Sequence, residues 1–160
     1  MVVVAIIAVL AAAAAPNMGQ FLAAKRAEDA ARRLANDLTF ARSEAVKRNA
    51  PVLVCANVSG ACAATPVAAD WAQGWRICHD LNADGNCDTS APADPNPMRV
   101  QSAPQGNASL TGPLSRLRFN ADGSLTATDL TDFLVVGGGT TPARWKVRIA
   151  VSGALSVKRD

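Results

Sequence analysis

The sequence predicts an α+β protein in which one long N-terminal helix is followed by an antiparallel β-sheet domain. Residues 1–49 run without a break from an apolar segment into an amphipathic segment with helical spacing. After Pro51, short apolar or alternating segments are separated by turn residues, a pattern typical of antiparallel strands. The 160 residues are 49% apolar, which is enough for one domain with a core.

The first 15 residues contain no charged side chain. A membrane-spanning helix needs about 20 apolar residues, so this run alone is short of a full span. A cleavable signal peptide, cut near Ala13–Ala15, is a second interpretation. The third is an apolar segment that starts upstream of Met1. We take residues 1–15 as the membrane-spanning part of the helix, with a truncated start.

Residues 16–49 are predicted to continue the helix in amphipathic form. Small and apolar residues recur at alternating spacings of four and three, and so form one stripe: Ala27, Ala31, Leu34, Leu38, Ala41 and Ala45. Charged residues such as Asp37 and Arg42 fall off this stripe. Pro51 disfavours helical geometry in the residue before it, so the helix should end near residues 48–50. Residues 50–160 then form the globular β domain.

The β domain is predicted from short segments of strand-like composition. Strands are expected at 52–55, 71–78, 116–119, 133–136, 145–151 and 155–157, and turns at 57–60 and 120–123. Residues 80–97, rich in Asp, Asn, Pro and Gly, are predicted to be a loop. The three tryptophans, Trp71, Trp75 and Trp145, lie in apolar strand-like contexts and are expected to pack in the core.

Composition argues against several classes of function. Only 4% of residues are aromatic and tyrosine is absent, which disfavours an aromatic-lined pocket or a base-stacking platform. His79 is the only histidine, and we interpret it as a loop residue because no nucleophile motif such as GxSxG accompanies it. Nothing in the sequence indicates an enzyme, a small-molecule substrate or an obligatory cofactor.

The four cysteines form two close pairs, Cys55–Cys62 and Cys78–Cys87. The CxxC-like knuckles of a zinc ribbon are missing. The even number, the short loops and the apparent export or membrane signal favour two disulfides in an oxidising compartment. Free buried thiols are the alternative for each pair.

A possible calcium loop starts at Asp80. Oxygen-bearing side chains occupy positions 1, 3, 5 and 9 of the stretch, with Gly85 at position 6, as in the first part of an EF-hand loop. The candidate ligands are Asp80, Asn82, Asp84, Asn86 and Asp88. Position 12, where a bidentate glutamate belongs, is Ala91, and no helices are predicted to flank the loop. The alternative is a hairpin turn closed by the Cys78–Cys87 disulfide.

Arg144, Lys146 and Arg148 alternate with apolar residues, as Arg116 and Arg118 do, so each of these two sets should share one strand face. Lys158 and Arg159 complete the basic C-terminal segment. The candidate DNA-contacting residues are Arg144, Lys146, Arg148, Lys158, Arg159, Arg116 and Arg118. One interpretation is the solvated face of a one-sided sheet. The other is a surface that follows a phosphate backbone and releases its counterions.

Four segments together resemble the GspH/FimT-type minor pseudopilins. The N-terminus, MVVVAIIAVLAAAAAPN, is similar to a pilin helix just after its processing site. Residues 41–55, ARSEAVKRNAPVLVC, resemble the family's helix-to-strand junction. Residues 71–88, WAQGWRICHDLNADGNCD, and 118–126, RFNADGSLT, resemble its Trp-Gly-Trp strand with acidic loop and its Phe-to-Gly hairpin. The family's processing site and nearby glutamate are missing here.

This resemblance implies a structural role. Family members are subunits of type IV pili or of type II secretion pseudopili, held in the bacterial inner membrane by a single pass with the globular domain in the periplasm. The implied partners are other pilin subunits and the inner membrane. Members implicated in natural transformation bind double-stranded DNA through a basic C-terminal segment with arginines directly after a glycine. Here four residues separate Gly153 from Lys158, so that match is loose.

Overall fold

The computed structural model contains one long helix followed by antiparallel strands, which confirms the predicted α+β class. The structure describes residues 2–62, 69–82, 84–88, 97–106, 108–126 and 131–160, without the side chains of residues 5–17 and 69–70. Part of the loop predicted at 80–97, residues 89–96, therefore lies outside the description. Ten strands in these ranges form two five-stranded sheets.

Helix α1 spans Val2–Arg48. All six residues of the predicted stripe are fully buried, since the stripe packs on the sheets and faces away from solvent. The helix ends at Arg48, within the range 48–50 that was predicted from the position of Pro51. Asn49 adopts a left-handed conformation with φ of 51°, and the Ala50 amide donates to the Ala45 carbonyl at 3.2 Å, which satisfies one of the last free carbonyls.

The first sheet is built around strand β1, whose neighbours are all antiparallel to it. Its strands are β1 (Val52–Val58), β2 (Ala61–Cys62), β4 (Gly74–His79), β5 (Arg99–Ser102) and β7 (Arg116–Phe119). Strand β4 lies on one side of β1 and β7 on the other, β5 follows β4, and β2 pairs with the last two residues of β1.

The second sheet has the order β10-β9-β8-β6-β3. Its strands are β3 (Ala69–Asp70), β6 (Ser109–Gly112), β8 (Thr131–Val136), β9 (Arg144–Ile149) and β10 (Leu155–Arg159). The inner faces of both sheets and the stripe of α1 contribute to a single apolar core. Within it Trp71 meets Phe133 edge-on, with ring centroids 4.9 Å apart.

The structure corrects several details of the sequence prediction. His79 is the last residue of β4 and is 4% exposed, so it is a buried strand residue and not a loop residue. The turn predicted at 57–60 is narrower, because β1 continues through Val58 and the left-handed residues are Ser59 and Gly60. Trp71 and Trp75 are buried as expected, whereas Trp145 is only half-buried against the core.

No helix within the part of the chain that the structure describes is both long enough and apolar enough to cross a membrane. Exposed large apolar side chains are nevertheless found towards the N-terminal end of α1. They are Val2, Val3, Val4, Met18, Phe21 and Leu22. Burial on the globular domain begins at Ala27.

Candidate functional site

Five of the predicted cations lie together on strands β9 and β10. We call this set the β9–β10 surface: Arg144, Lys146, Arg148, Lys158 and Arg159. Val147 and Ile149 between them are buried, as the alternating pattern predicts. Lys146 lies directly opposite Lys158 in the antiparallel register, so the two ammonium groups share the outer face.

Two of these cations are paired with carboxylates. Arg148 donates from Nε and Nη2 to the two carboxylate oxygens of Asp132, both at 2.8 Å, and Lys146 Nζ lies 3.0 Å from Asp160 Oδ1. The hydrogen bonds from Arg148 lower the pKa of Asp132 below its usual value, so this carboxylate is ionised at neutral pH. Among the residues that the structure describes, Arg144, Lys158 and Arg159 have no carboxylate partner.

The same strands form a shallow groove of about 210 Å³. Its lining consists of Lys146, Arg148, Ser156, Lys158, Arg159 and Asp160. Ammonium, guanidinium and hydroxyl groups on one open face provide hydrogen-bond donors suited to phosphate oxygens. The carboxylate of Asp160 lies in the same groove, where it is paired with Lys146.

Arg116 and Arg118 lie elsewhere, because β7 belongs to the first sheet. Arg116 Nη1 donates to the Gly85 carbonyl, and Arg118 Nη1 lies 3.7 Å from Asp80 Oδ2. Both arginines therefore hold the loop at 80–88 against the outer face of the sheet. The sequence correctly places them together on one face of β7, but the fold separates them from the β9–β10 surface.

The five candidate calcium ligands contact their own loop. Asp80 accepts a hydrogen bond from the Gly85 amide at 3.2 Å, Asp84 accepts one from the Asn86 amide at 2.8 Å, and Asp88 accepts one from the Leu81 amide. Asn82 Oδ1 accepts the Asp84 amide in the same manner. An oxygen that accepts one such bond keeps a further lone pair, so these bonds do not decide the question. Calcium binding stays a prediction that titration calorimetry can test.

The loop carboxylates experience different environments. Burial raises the pKa of Asp80, because its fully enclosed carboxylate loses hydration that the Gly85 amide and Arg118 only partly replace. The hydrogen bond from the Asn86 amide lowers the pKa of Asp84, which is exposed. The loop thus combines the enclosed carboxylate of Asp80 with the exposed carboxylate of Asp84.

Both predicted disulfides are present, with Cα atoms 5.4 Å apart in each. Cys55–Cys62 closes the β1–β2 hairpin, and Cys78–Cys87 ties the acidic loop to strand β4. No cysteine in the described chain is free. These bonds and the β7 arginines together fix the outer face of the first sheet.

One polar cluster was missed by the sequence analysis. Asp37, predicted off the helix stripe, is buried and accepts hydrogen bonds from Trp75 Nε1 at 2.9 Å and from Arg99 Nη1. The Arg99 guanidinium also stacks 4.0 Å from the ring centre of Phe40. No spacing in the sequence links these residues, because they come from α1, β4 and β5.

One long helix packed against two antiparallel sheets is the architecture of this chain. Solved structures share this fold. Two crystal structures of the Pseudomonas aeruginosa type IV minor pilin FimU match, both at 22% identity. The first has a TM-score of 0.63 and covers 82% of this chain and 87% of the FimU chain. The second has a TM-score of 0.61 and covers 82% of this chain and 91% of the FimU chain. No curated protein sequence matches the chain significantly.

The family is established by sequence. The GspH family, described as type II transport protein GspH, matches residues 30–154, which is more than three quarters of the chain. The chain therefore belongs to the GspH family. This confirms the resemblance drawn from the helix junction, the Trp-Gly-Trp strand and the Phe-to-Gly hairpin.

Proposed function

We propose that this protein is a non-catalytic minor pseudopilin that serves as a structural and assembly subunit of a type IV pilus. Before assembly, residues 1–15 lie in the bacterial inner membrane and the β domain lies in the periplasm. Membership of the GspH family and the fold shared with FimU support this role. The observation that carries it is the exposed apolar part of α1, because Met18, Phe21 and Leu22 extend beyond the core with no partner among the described residues to cover them.

Replacing Phe21 by aspartate is expected to remove the subunit from the assembled fibre. In this proposal Phe21, 57% exposed in the single chain, is buried against neighbouring helices. Loss of the burial of this exposed part costs about 1–2 kcal/mol, or roughly a 5- to 30-fold fall in incorporation. Immunoblotting of sheared pili against whole cells measures the incorporated fraction.

Val46→Asp is the matched control, because Val46 is 52% exposed on the same helix but beside the globular domain. It should be incorporated at the wild-type level. Equal incorporation of Phe21→Asp and wild type would contradict the assembly role of the exposed helix.

The proposal includes contact with double-stranded DNA through the β9–β10 surface. The support is the number of cations on these two strands. Arg144, Lys146, Arg148 and Lys158 share the outer face, and Arg159 lies beside them at the end of β10, in register with Trp145. Arg144, Lys158 and Arg159 have no carboxylate partner in the described part of the chain. Each cation that neutralises a phosphate releases a counterion, so binding should weaken steeply with salt and depend little on sequence. Arg116 and Arg118 are not expected to contribute, because they hold the acidic loop.

The triple variant Arg144→Ala/Lys158→Ala/Arg159→Ala should bind duplex DNA more weakly. The slope of log affinity against log salt should fall in magnitude by about 2–3, at roughly 0.9 per lost phosphate contact. Electrophoretic mobility shifts at several salt concentrations measure this slope. The variant Lys25→Ala/Arg32→Ala/Lys47→Ala removes the same charge from exposed helix positions. An equal loss in both variants would show that net charge, and not this surface, determines binding.

A second candidate is a subunit of the type II secretion pseudopilus, which the description of the family favours. The Phe21→Asp variant separates the two candidates. If the protein is a pilus subunit, this variant should lose pili or DNA uptake while protein secretion stays normal. If it is a secretion subunit, the variant should lose protein secretion while pili and DNA uptake stay normal.

A third candidate is an exported β domain that signal peptidase releases after Ala15. In that case the intact mass of the mature protein should lack the first 15 residues.

A further inference from the structure

The two disulfides are part of one compact group of four sulfur atoms. Strand β1 and its hairpin contribute Cys55 and Cys62, and β4 with its loop contributes Cys78 and Cys87. All four Sγ atoms lie within 4.8 Å of one another. Cys62 Sγ and Cys87 Sγ are only 3.2 Å apart although they belong to different disulfides. Two pairs that are far apart in sequence thus converge on one point.

This spacing is close to that of a four-thiolate metal centre. Zinc binds thiolates at about 2.3 Å in tetrahedral geometry, which places the sulfur atoms about 3.8 Å from one another. Opening the two S–S bonds frees each cysteine side chain to rotate between rotamers, which moves its sulfur atom without moving the backbone. The four sulfurs therefore need little rearrangement of the backbone to surround one ion.

The surroundings of the sulfurs are suited to negative charge. Zinc with four thiolates carries two net negative charges. In the sheet register Arg76 of β4 and Arg116 of β7 lie opposite Cys55 on its two sides, so both side chains share the face that carries the sulfur. The Nε of Arg76 is buried and has no hydrogen-bond acceptor within the described part of the chain. A thiolate beside it would supply both an acceptor and a counter-charge.

We propose that the reduced form of this protein binds one zinc ion through Cys55, Cys62, Cys78 and Cys87. A dithiol or phosphine reductant supplies four electrons, and with four protons the two disulfides become four thiols. Zinc then displaces those four protons and forms four Zn–S bonds. The oxidised protein has no thiolate to offer, so disulfide formation and zinc binding exclude each other. This site is independent of the proposed role in a pilus.

Cobalt substitution tests the ligand set directly. The folded chain, reduced with a phosphine without denaturant, is titrated with Co²⁺ and then with Zn²⁺. We expect one cobalt per chain, the intense visible bands of a tetrahedral four-thiolate complex, and their disappearance as zinc displaces cobalt. His79→Gln, a change at the buried neighbour of Cys78, should leave the spectrum unchanged, and Cys62→Ser should weaken and shift it. Absence of the bands, or a spectrum that His79→Gln alters, would overturn the proposal.

A thermal melt separates a folded site from chelation by an unfolded chain. Zinc that binds only the folded protein must raise the melting temperature of the reduced chain, and more so as its concentration increases. The same zinc should leave the melting temperature of the oxidised protein unchanged. If the reduced chain binds cobalt equally well in concentrated urea, or if zinc does not raise its melting temperature, the proposed site does not exist.

Discussion

Replacing Gly74 by alanine is expected to lower the free energy of unfolding by about 2–5 kcal/mol, the sum of left-handed strain and overpacking. Gly74 starts β4 with φ of 97°, a conformation that disfavours a side chain. It also lies against β5, where a Cβ would fall 2.1 Å from the Gln101 carbonyl oxygen and 2.9 Å from the Ser102 carbonyl carbon. Because both neighbours are backbone atoms, the two strands would have to separate.

Urea unfolding of the oxidised protein, followed by circular dichroism, measures this loss. Gly139→Ala is the matched control, because Gly139 also has a positive φ, 112°, but nothing lies within 4 Å of a Cβ placed there. It should cost only about 1–2 kcal/mol, the conformational part alone. Equal stability of the two variants would contradict the close contact that the structure places between β4 and β5 at Gly74.

Replacing Asp37 by alanine is expected to cost about 2–3 kcal/mol and to lower the melting temperature by about 4–12 °C. The change leaves the indole N–H of Trp75, a side chain that is 1% exposed, without its acceptor. It also removes the carboxylate partner of Arg99. Arg99 is 43% exposed and regains water, so most of the loss comes from the buried indole and from the cavity left in the core.

Asp132→Ala provides the comparison for this variant. Asp132 makes an equally well-formed pair with Arg148, but the two side chains are 34% and 52% exposed. Solvent screening limits such a surface pair to about 0–1 kcal/mol. Thermal melts of the two variants at the same pH should therefore differ clearly. A larger loss for Asp132→Ala than for Asp37→Ala would contradict the burial assigned to the Asp37 cluster.

The sequence predicted elements well where one face is continuously apolar. The α1 stripe from Ala27 to Ala45 was read correctly because burial on one side imposes a helical period over many residues. Strands β7 and β9 were found because their residues alternate between buried and outward positions. Strands β3, β5 and β6 were missed, since β3 has only two residues, β5 is exposed at the sheet edge and β6 contains a single large apolar side chain, Leu110. These segments become strands because they form backbone hydrogen bonds with an adjacent strand, which the pattern of apolar residues within each segment does not reveal.

The candidate site likewise has features that the sequence predicted and features that it could not predict. Local alternation correctly placed Lys146 and Arg148 on one outward face, because strand geometry alone determines that. It also grouped Arg116 with Arg118, but it had no means of knowing that another sheet carries them or that both face the acidic loop. Such contacts join residues more than 30 positions apart and arise only when the sheets and loop pack.

By itself, the sequence determined the long helix, the antiparallel domain after Pro51, the cysteine pairs and the family. The helix, the strands and the cysteine pairs follow from periodicity, turn chemistry and short spacings, and the family follows from the resemblance of four segments; all of these are local along the chain. Only the tertiary structure decided that Asp37 is buried beside Trp75 and Arg99 and that the two disulfides meet in one cluster. The physical reason is that long-range packing brings these groups together, and it leaves no periodic signal in the residues that it joins.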